Sequence, residues 1–87
     1  MRYIYSDSKL INIDNISTME IVMNEIIITL NSGRKLRVYT TSKDSDLDVV
    51  FSELLREIRC SEDDIDWYIF RCHIQWYQGI EDGTWFI

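Results

Sequence analysis

Six apolar side chains, Leu47, Val50, Phe51, Leu54, Leu55 and Ile58, recur at i, i+3, i+4, i+7, i+8 and i+11, the spacing of a single stripe along an α-helix. In a chain of 87 residues this stripe constrains the fold, because a helix with one wide apolar face must lay it on another element. Each of these side chains contributes about 1.5–3 kcal/mol when fully buried. A chain this short forms one domain, residues 1–87, around one small core. The helix is expected over residues 44–60. Asp44 or Ser45 is placed to cap its first amides, Asp46 and Asp48 complement the positive end of its dipole, and Arg56 and Arg59 suit the other end.

Residues 1–41 have the other period and read as an antiparallel β-meander. Arg2–Tyr5 and Leu10–Ile13 flank the turn-rich Ser6-Asp7-Ser8-Lys9, a predicted opening hairpin. A run from Ile16 to Met23 precedes Asn24-Glu25 and then Ile26-Ile27-Ile28-Thr29-Leu30, whose β-branched residues suit a pleated, half-buried strand. Asn31-Ser32-Gly33-Arg34 supplies a tight reversal, and Lys35 to Thr40 returns in strict alternation. That alternation predicts Leu36 and Val38 toward the core, with Lys35, Arg37 and Tyr39 sharing the opposite face.

Cys60 to Asp66 reads as a polar connection, and Trp67 to Tyr77 admits two readings. Ser61 followed by Glu62, Asp63 and Asp64 resembles a helix start, with Ile65, Ile69, Cys72 and Trp76 as a stripe. Against this, Tyr68, Phe70, Cys72, Ile74 and Trp76 alternate with Ile69, Arg71, His73 and Gln75 in a segment rich in strand-forming types. The alternation favours a strand. Gln78 to Gly83 would then turn the chain into a short return, Thr84 to Ile87. The expected fold class is α+β, a meander of four to five strands on one amphipathic helix, with residues 67–87 as an aromatic C-terminal hairpin.

Charge is divided unevenly along the chain. Asp44 to Ile87 holds eleven acidic residues against Arg56, Arg59 and Arg71, a net charge of −8, whereas residues 1–43 carry six cations against four anions, a net +2. The acidic half disfavours a nucleic-acid backbone or an anionic membrane as its ligand and favours a basic protein surface. Nothing at the start of the sequence joins a basic segment to a long apolar run, and no stretch approaches eighteen apolar residues, so a cytoplasmic protein is expected. Cys60 and Cys72 would then be reduced thiols.

Catalytic and cofactor motifs are lacking. Cys60, Cys72 and His73 have no metal-ligand spacing, and Glu62-Asp63-Asp64-Ile65-Asp66 lacks the glycine and terminal glutamate of a calcium loop. On a strand, Cys72 and His73 would project to opposite faces and could not act together as nucleophile and base. Glu53 and Glu57, one helical turn apart, read as a solvated face, and none of the three glycines lies in a phosphate-cradling loop. Lys35, Arg37 and Tyr39 have the chemistry of a nucleic-acid contact but are too few in an acidic chain. No enzyme activity, cofactor or metal is expected.

Seven of the eleven aromatic residues fall in the last twenty-one positions, more than one small core is expected to hide. Trp67, Tyr77 and Trp85 are predicted anchors, and Glu53, Glu57, Glu62, Asp63, Asp64 and Asp66 predicted carboxylate contacts, of a basic partner protein. In compactness, acidity and want of a catalytic constellation the chain resembles small phage-encoded proteins, among them anti-CRISPR proteins. The resemblance is one of kind and carries over no residue; it implies a non-enzymatic inhibitor or adaptor that occupies a nucleic-acid-binding surface of a host protein. One alternative is a small-molecule or nucleotide second-messenger sequestering protein that uses Arg37, Arg71 and Trp76. Another is a self-assembling subunit joined at the exposed edge of the terminal hairpin.

Overall fold

The structure, a computed structural model, describes residues 1–87 and is α+β, with seven strands in two sheets and two helices. Strand β1 (Tyr3–Tyr5) pairs antiparallel with β2 (Leu10–Asn12). A 3-10 turn at Ile13–Asn15 then leads into β3 (Ile16–Val22), β4 (Glu25–Leu30) and β5 (Lys35–Thr40), an antiparallel meander. Helix α1 spans Asp44–Cys60, the bounds expected from the apolar stripe, and buries Leu47, Val50 and Leu54. Its N-cap is Lys43, which makes no side-chain capping bond. Asp44 and Ser45 therefore lie inside the helix and do not cap it, and Asp44 and Asp46 supply the negative charge of the first turn.

The connection after α1 contains β6 (Ile65–Asp66), which pairs parallel with β1 and completes a three-stranded sheet of order β2-β1-β6. Trp67–Tyr77 is helix α2, which replaces the expected strand, and residues 67–87 form no hairpin. The Asp66 carboxylate accepts from the amides of Tyr68 (3.0 Å) and Ile69 (3.4 Å), satisfying donors that a helix start leaves orphaned. Trp67, Phe70 and Ile74, at i, i+3 and i+7, turn inward as its buried stripe. Gly79, at φ 68°, lets the chain leave the helix, and Ile80 folds back to bury its side chain while its amide donates to the Ile74 carbonyl. The amphipathic cap-and-stripe pattern prevails over strand propensity because it buries three large side chains at once.

The chain then returns as β7 (Thr84–Trp85), antiparallel to β5, giving the second sheet the order β3-β4-β5-β7. In β5, Ile26 pairs with Tyr39 and Ile27 with Arg37, so Val38 is an extra residue in a β-bulge. The bulge shifts the alternation and turns Tyr39 onto the core side with Val38. Tyr39 is fully buried, not exposed beside Lys35 and Arg37 as expected. One hydrophobic core joins Ile4, Ile11 and Ile65 of the first sheet to the buried faces of both helices and of the second sheet. No helix is long and apolar enough to cross a membrane.

Candidate interaction surface

With Trp67, Phe70 and Ile74 turned inward, the opposite side of α2 is left uncovered. Tyr68, Ile69, Trp76 and Tyr77 are between 63% and 78% exposed. Tyr68, Cys72 and Trp76 follow one another at i, i+4 and i+8, and Ile69 lies beside them, so the helix displays a continuous apolar face. The Cys72 thiol, one turn away, raises the pKa of the Tyr68 hydroxyl and favours its neutral form. Tyr77 is held by its neighbour one turn back: the His73 and Tyr77 rings lie 5.2 Å apart. His73 Nε2 is in turn 3.5 Å from Glu53 Oε2.

Ile69 also borders an open cleft of about 250 Å³ between α1 and α2, whose rim carries Glu57, Asp64, Asp66 and His73 and whose floor includes Ile65 and Phe70. The ion pairs of the chain are Arg37 with Glu25, Lys43 with Asp82 and Arg56 with Glu53. The carboxylates of Glu57, Glu62, Asp63, Asp64 and Asp66 thus form no ion pair within the chain. At Ile69 the exposed apolar face of α2 meets this acidic rim, an arrangement suited to a surface with the opposite charge and apolar sites of its own.

The carboxylates expected to contact a partner have differing duties. Glu53 is engaged within the chain by Arg56 and by Gln78 (3.3 Å) and ties α1 to the end of α2. Asp64 accepts from the Tyr3 amide at 2.9 Å, anchoring β1, and Asp66 caps α2 while accepting from the Tyr5 hydroxyl at 3.3 Å. Partial desolvation and the nearby Asp66 carboxylate raise the Tyr5 pKa. Glu57, Glu62 and Asp63 keep side chains free of any hydrogen bond within the chain, although the main-chain carbonyls of Glu57 and Asp63 receive the Arg2 guanidinium.

Of the three expected aromatic anchors only Tyr77 is free. Trp67 is 1% exposed, stacked on Phe70 with centroids 5.0 Å apart, and its Nε1 is buried without an acceptor. Trp85 lies at the centre of an internal cluster, 4.5 Å from Tyr39 and 5.6 Å from Trp67. The helical register of α2 explains the exchange: it turns Trp67 inward and leaves Tyr68, Ile69 and Trp76 as the uncovered residues. Their signal was present in the spacing of Ile69, Cys72 and Trp76, which marks the exposed side of α2, not its core side.

The alternative ligand residues are not gathered into one pocket. Arg37 pairs with Glu25 and stacks over Phe86 at 4.0 Å, whereas Arg71 lies 5.5 Å over Trp85. Arg71 lines an open cleft of about 480 Å³ that Arg37 and Trp76 do not border. No three His, Cys, Asp or Glu side chains converge as metal ligands. Comparisons with protein-family models, with curated proteins and with solved structures find no match to this chain.

Proposed function

We propose that this chain is a non-enzymatic protein-binding inhibitor or adaptor that docks on a basic, nucleic-acid-handling surface of a partner protein. The observation that carries the reading is the exposed α2 face, Tyr68, Ile69, Trp76 and Tyr77, which at Ile69 borders a cleft rimmed by Glu57, Asp64 and Asp66, carboxylates that form no ion pair within the chain. Aromatic side chains supply large contact areas at small entropic cost, and a surrounding negative field speeds encounter with a positive surface. An inhibitor of the anti-CRISPR kind would work in this way, standing where a nucleic acid otherwise lies.

The test is capture of partners from lysate by the immobilised chain at low and high salt, with two variants as controls. Trp76→Ala removes an exposed anchor, and Glu57→Gln, Glu62→Gln and Asp63→Asn together remove charges that support no hydrogen bond in the chain. A basic partner should be retained at low salt, released at high salt and lost with either variant while circular dichroism stays native. Capture that ignores salt and both variants would sink the proposal.

A further inference from the structure

The turn between β1 and β2 and the first turns of α2 border an open cleft of about 480 Å³. Arg71 lines it from the helix and Asp7 from the turn, and although the two opposite charges share one cleft they form no ion pair. Neither side chain enters any hydrogen bond of the turn or of the helix start. Both stand on ordered backbone. Arg71 is half-buried, its guanidinium 5.5 Å over the Trp85 ring. Asp7 rides on a turn closed by the Ser6 amide, which donates to the Lys9 carbonyl at 2.9 Å, and by the Ser6 hydroxyl, which accepts from the Lys9 amide at 3.2 Å.

The remaining charge of the wall is already engaged, because the Asp66 carboxylate accepts from the Tyr68 and Ile69 amides and from the Tyr5 hydroxyl. Trp67 also forms part of the wall, and its Nε1–H is buried without an acceptor. A buried donor of this kind gains from any ligand oxygen that reaches it. The rings of Tyr5, Trp67 and Tyr68 and the side chain of Ile87 supply the apolar part of the lining.

We infer that this cleft binds a small zwitterion, an ammonium and a carboxylate on one apolar skeleton, the chemistry of a free amino acid with an aromatic or aliphatic side chain. Arg71 takes the carboxylate through its planar fork and Asp7 takes the ammonium. Charge selects this class of ligand. A net charge of −6 repels a simple anion, and a simple cation is drawn as well to the acidic rim between α1 and α2. A zwitterion carries no net charge, so it gains from both local charges and is neither repelled nor diverted.

Three probes separate the two charges: L-phenylalanine carries both, N-acetyl-L-phenylalanine only the carboxylate and L-phenylalaninamide only the ammonium. Titration of the isotopically labelled full chain, followed by two-dimensional NMR, should show L-phenylalanine shifting the Asp7 and Arg71 amides and the Trp67 indole N–H saturably, at about millimolar concentration. Either blocked probe should bind about ten-fold more weakly, since each lacks one charge-assisted contact. Arg71→Gln should weaken L-phenylalanine by a similar factor and leave the response to L-phenylalaninamide unchanged. Asp7→Asn should weaken L-phenylalanine and leave N-acetyl-L-phenylalanine unchanged. Asp7 is exposed on a turn that asparagine also favours, so this variant decides the matter even if loss of Arg71 disturbs the packing on Trp85. Affinity for the neutral ligand should change little with salt, unlike capture of a basic partner. The absence of a saturable shift up to about 50 mM overturns the inference. So does a blocked probe that binds as well as L-phenylalanine, or an affinity indifferent to Asp7→Asn. None of these measurements involves a partner protein, so docking by the α2 face stands or falls separately.

Discussion

The Tyr39 hydroxyl donates to the Asp82 carbonyl at 2.6 Å, and burial raises its pKa above 10.0. The folded chain therefore holds this proton more tightly than the unfolded chain does. The associated stability is whole below pH 10.0 and is lost as pH rises from there through the folded value. Tyr5 and Tyr68 shift in the same direction. Urea unfolding between about pH 9 and about pH 11 should show falling stability, with a shallower fall in Tyr39→Phe, which also costs about 1 kcal/mol at neutral pH through the lost hydrogen bond. Gly83 closes on the same ring. It has φ 100°, and a Cβ there would stand 2.6 Å from Tyr39 Cζ and 2.7 Å from the Thr40 carbonyl oxygen. Gly83→Ala should cost about 2 kcal/mol or more in a denaturant melt, and Gly33→Ala, where φ is 90° but space is open, about 1 kcal/mol.

Each helix depends on a contact made at one end. The Arg2 guanidinium reaches the last turn of α1, donating from Nη1 to the Ile58 carbonyl (2.8 Å) and from Nη2 to the Glu57 carbonyl (3.0 Å), while Nε donates to Asp63 (3.2 Å). It satisfies the orphan Ile58 carbonyl, adds a second donor to the Glu57 carbonyl that already accepts from the Ser61 amide, and puts a cation at the negative end of the dipole. Arg2→Ala should lower stability by about 1–2 kcal/mol, and Arg2→Lys should restore only part of it because an ammonium lacks the planar fork. At α2 the expected contrast is between cap and surface: Asp66→Ala should cost about 1 kcal/mol and Asp66→Asn much less, since asparagine caps as well as aspartate. The bounds of α1 and the course of the meander were legible because each repeats one period over many residues. Helix α2 was not, since its aromatic run satisfies both periods, and the decisive cap at Asp66 lies five residues beyond the more conspicuous Ser61. Strand β6 has only two residues and owes its existence to β1, about sixty positions earlier, so no local pattern announces it. Tyr39 was misplaced for a similar reason: the bulge at Val38 is set by pairing with β4. The candidate surface inherited these errors. Its acidic composition could be read directly, but which aromatics stand on it depends on the register of α2.

At the scale of the whole molecule, those docking carboxylates that accept no hydrogen bond, Glu57, Glu62 and Asp63, add repulsion without supporting the fold. Net charge is −6, and Glu57, Asp64 and Asp66 share one rim and form no ion pair. Like charges held in a compact state repel, and dissolved salt screens them over about 8 Å at physiological ionic strength. Added salt should therefore raise the thermal midpoint of the isolated chain by a few degrees while it weakens capture of a basic partner. The combined Glu57→Gln, Glu62→Gln and Asp63→Asn variant separates the two effects, because none of those side chains accepts a hydrogen bond within the chain. It should melt at or above the parent temperature, with a smaller response to salt, yet bind the partner less well. Residues kept for binding at the expense of stability behave in this way. If the variant instead melts well below the parent, the rim is holding the fold together, and its charges need no partner to account for them.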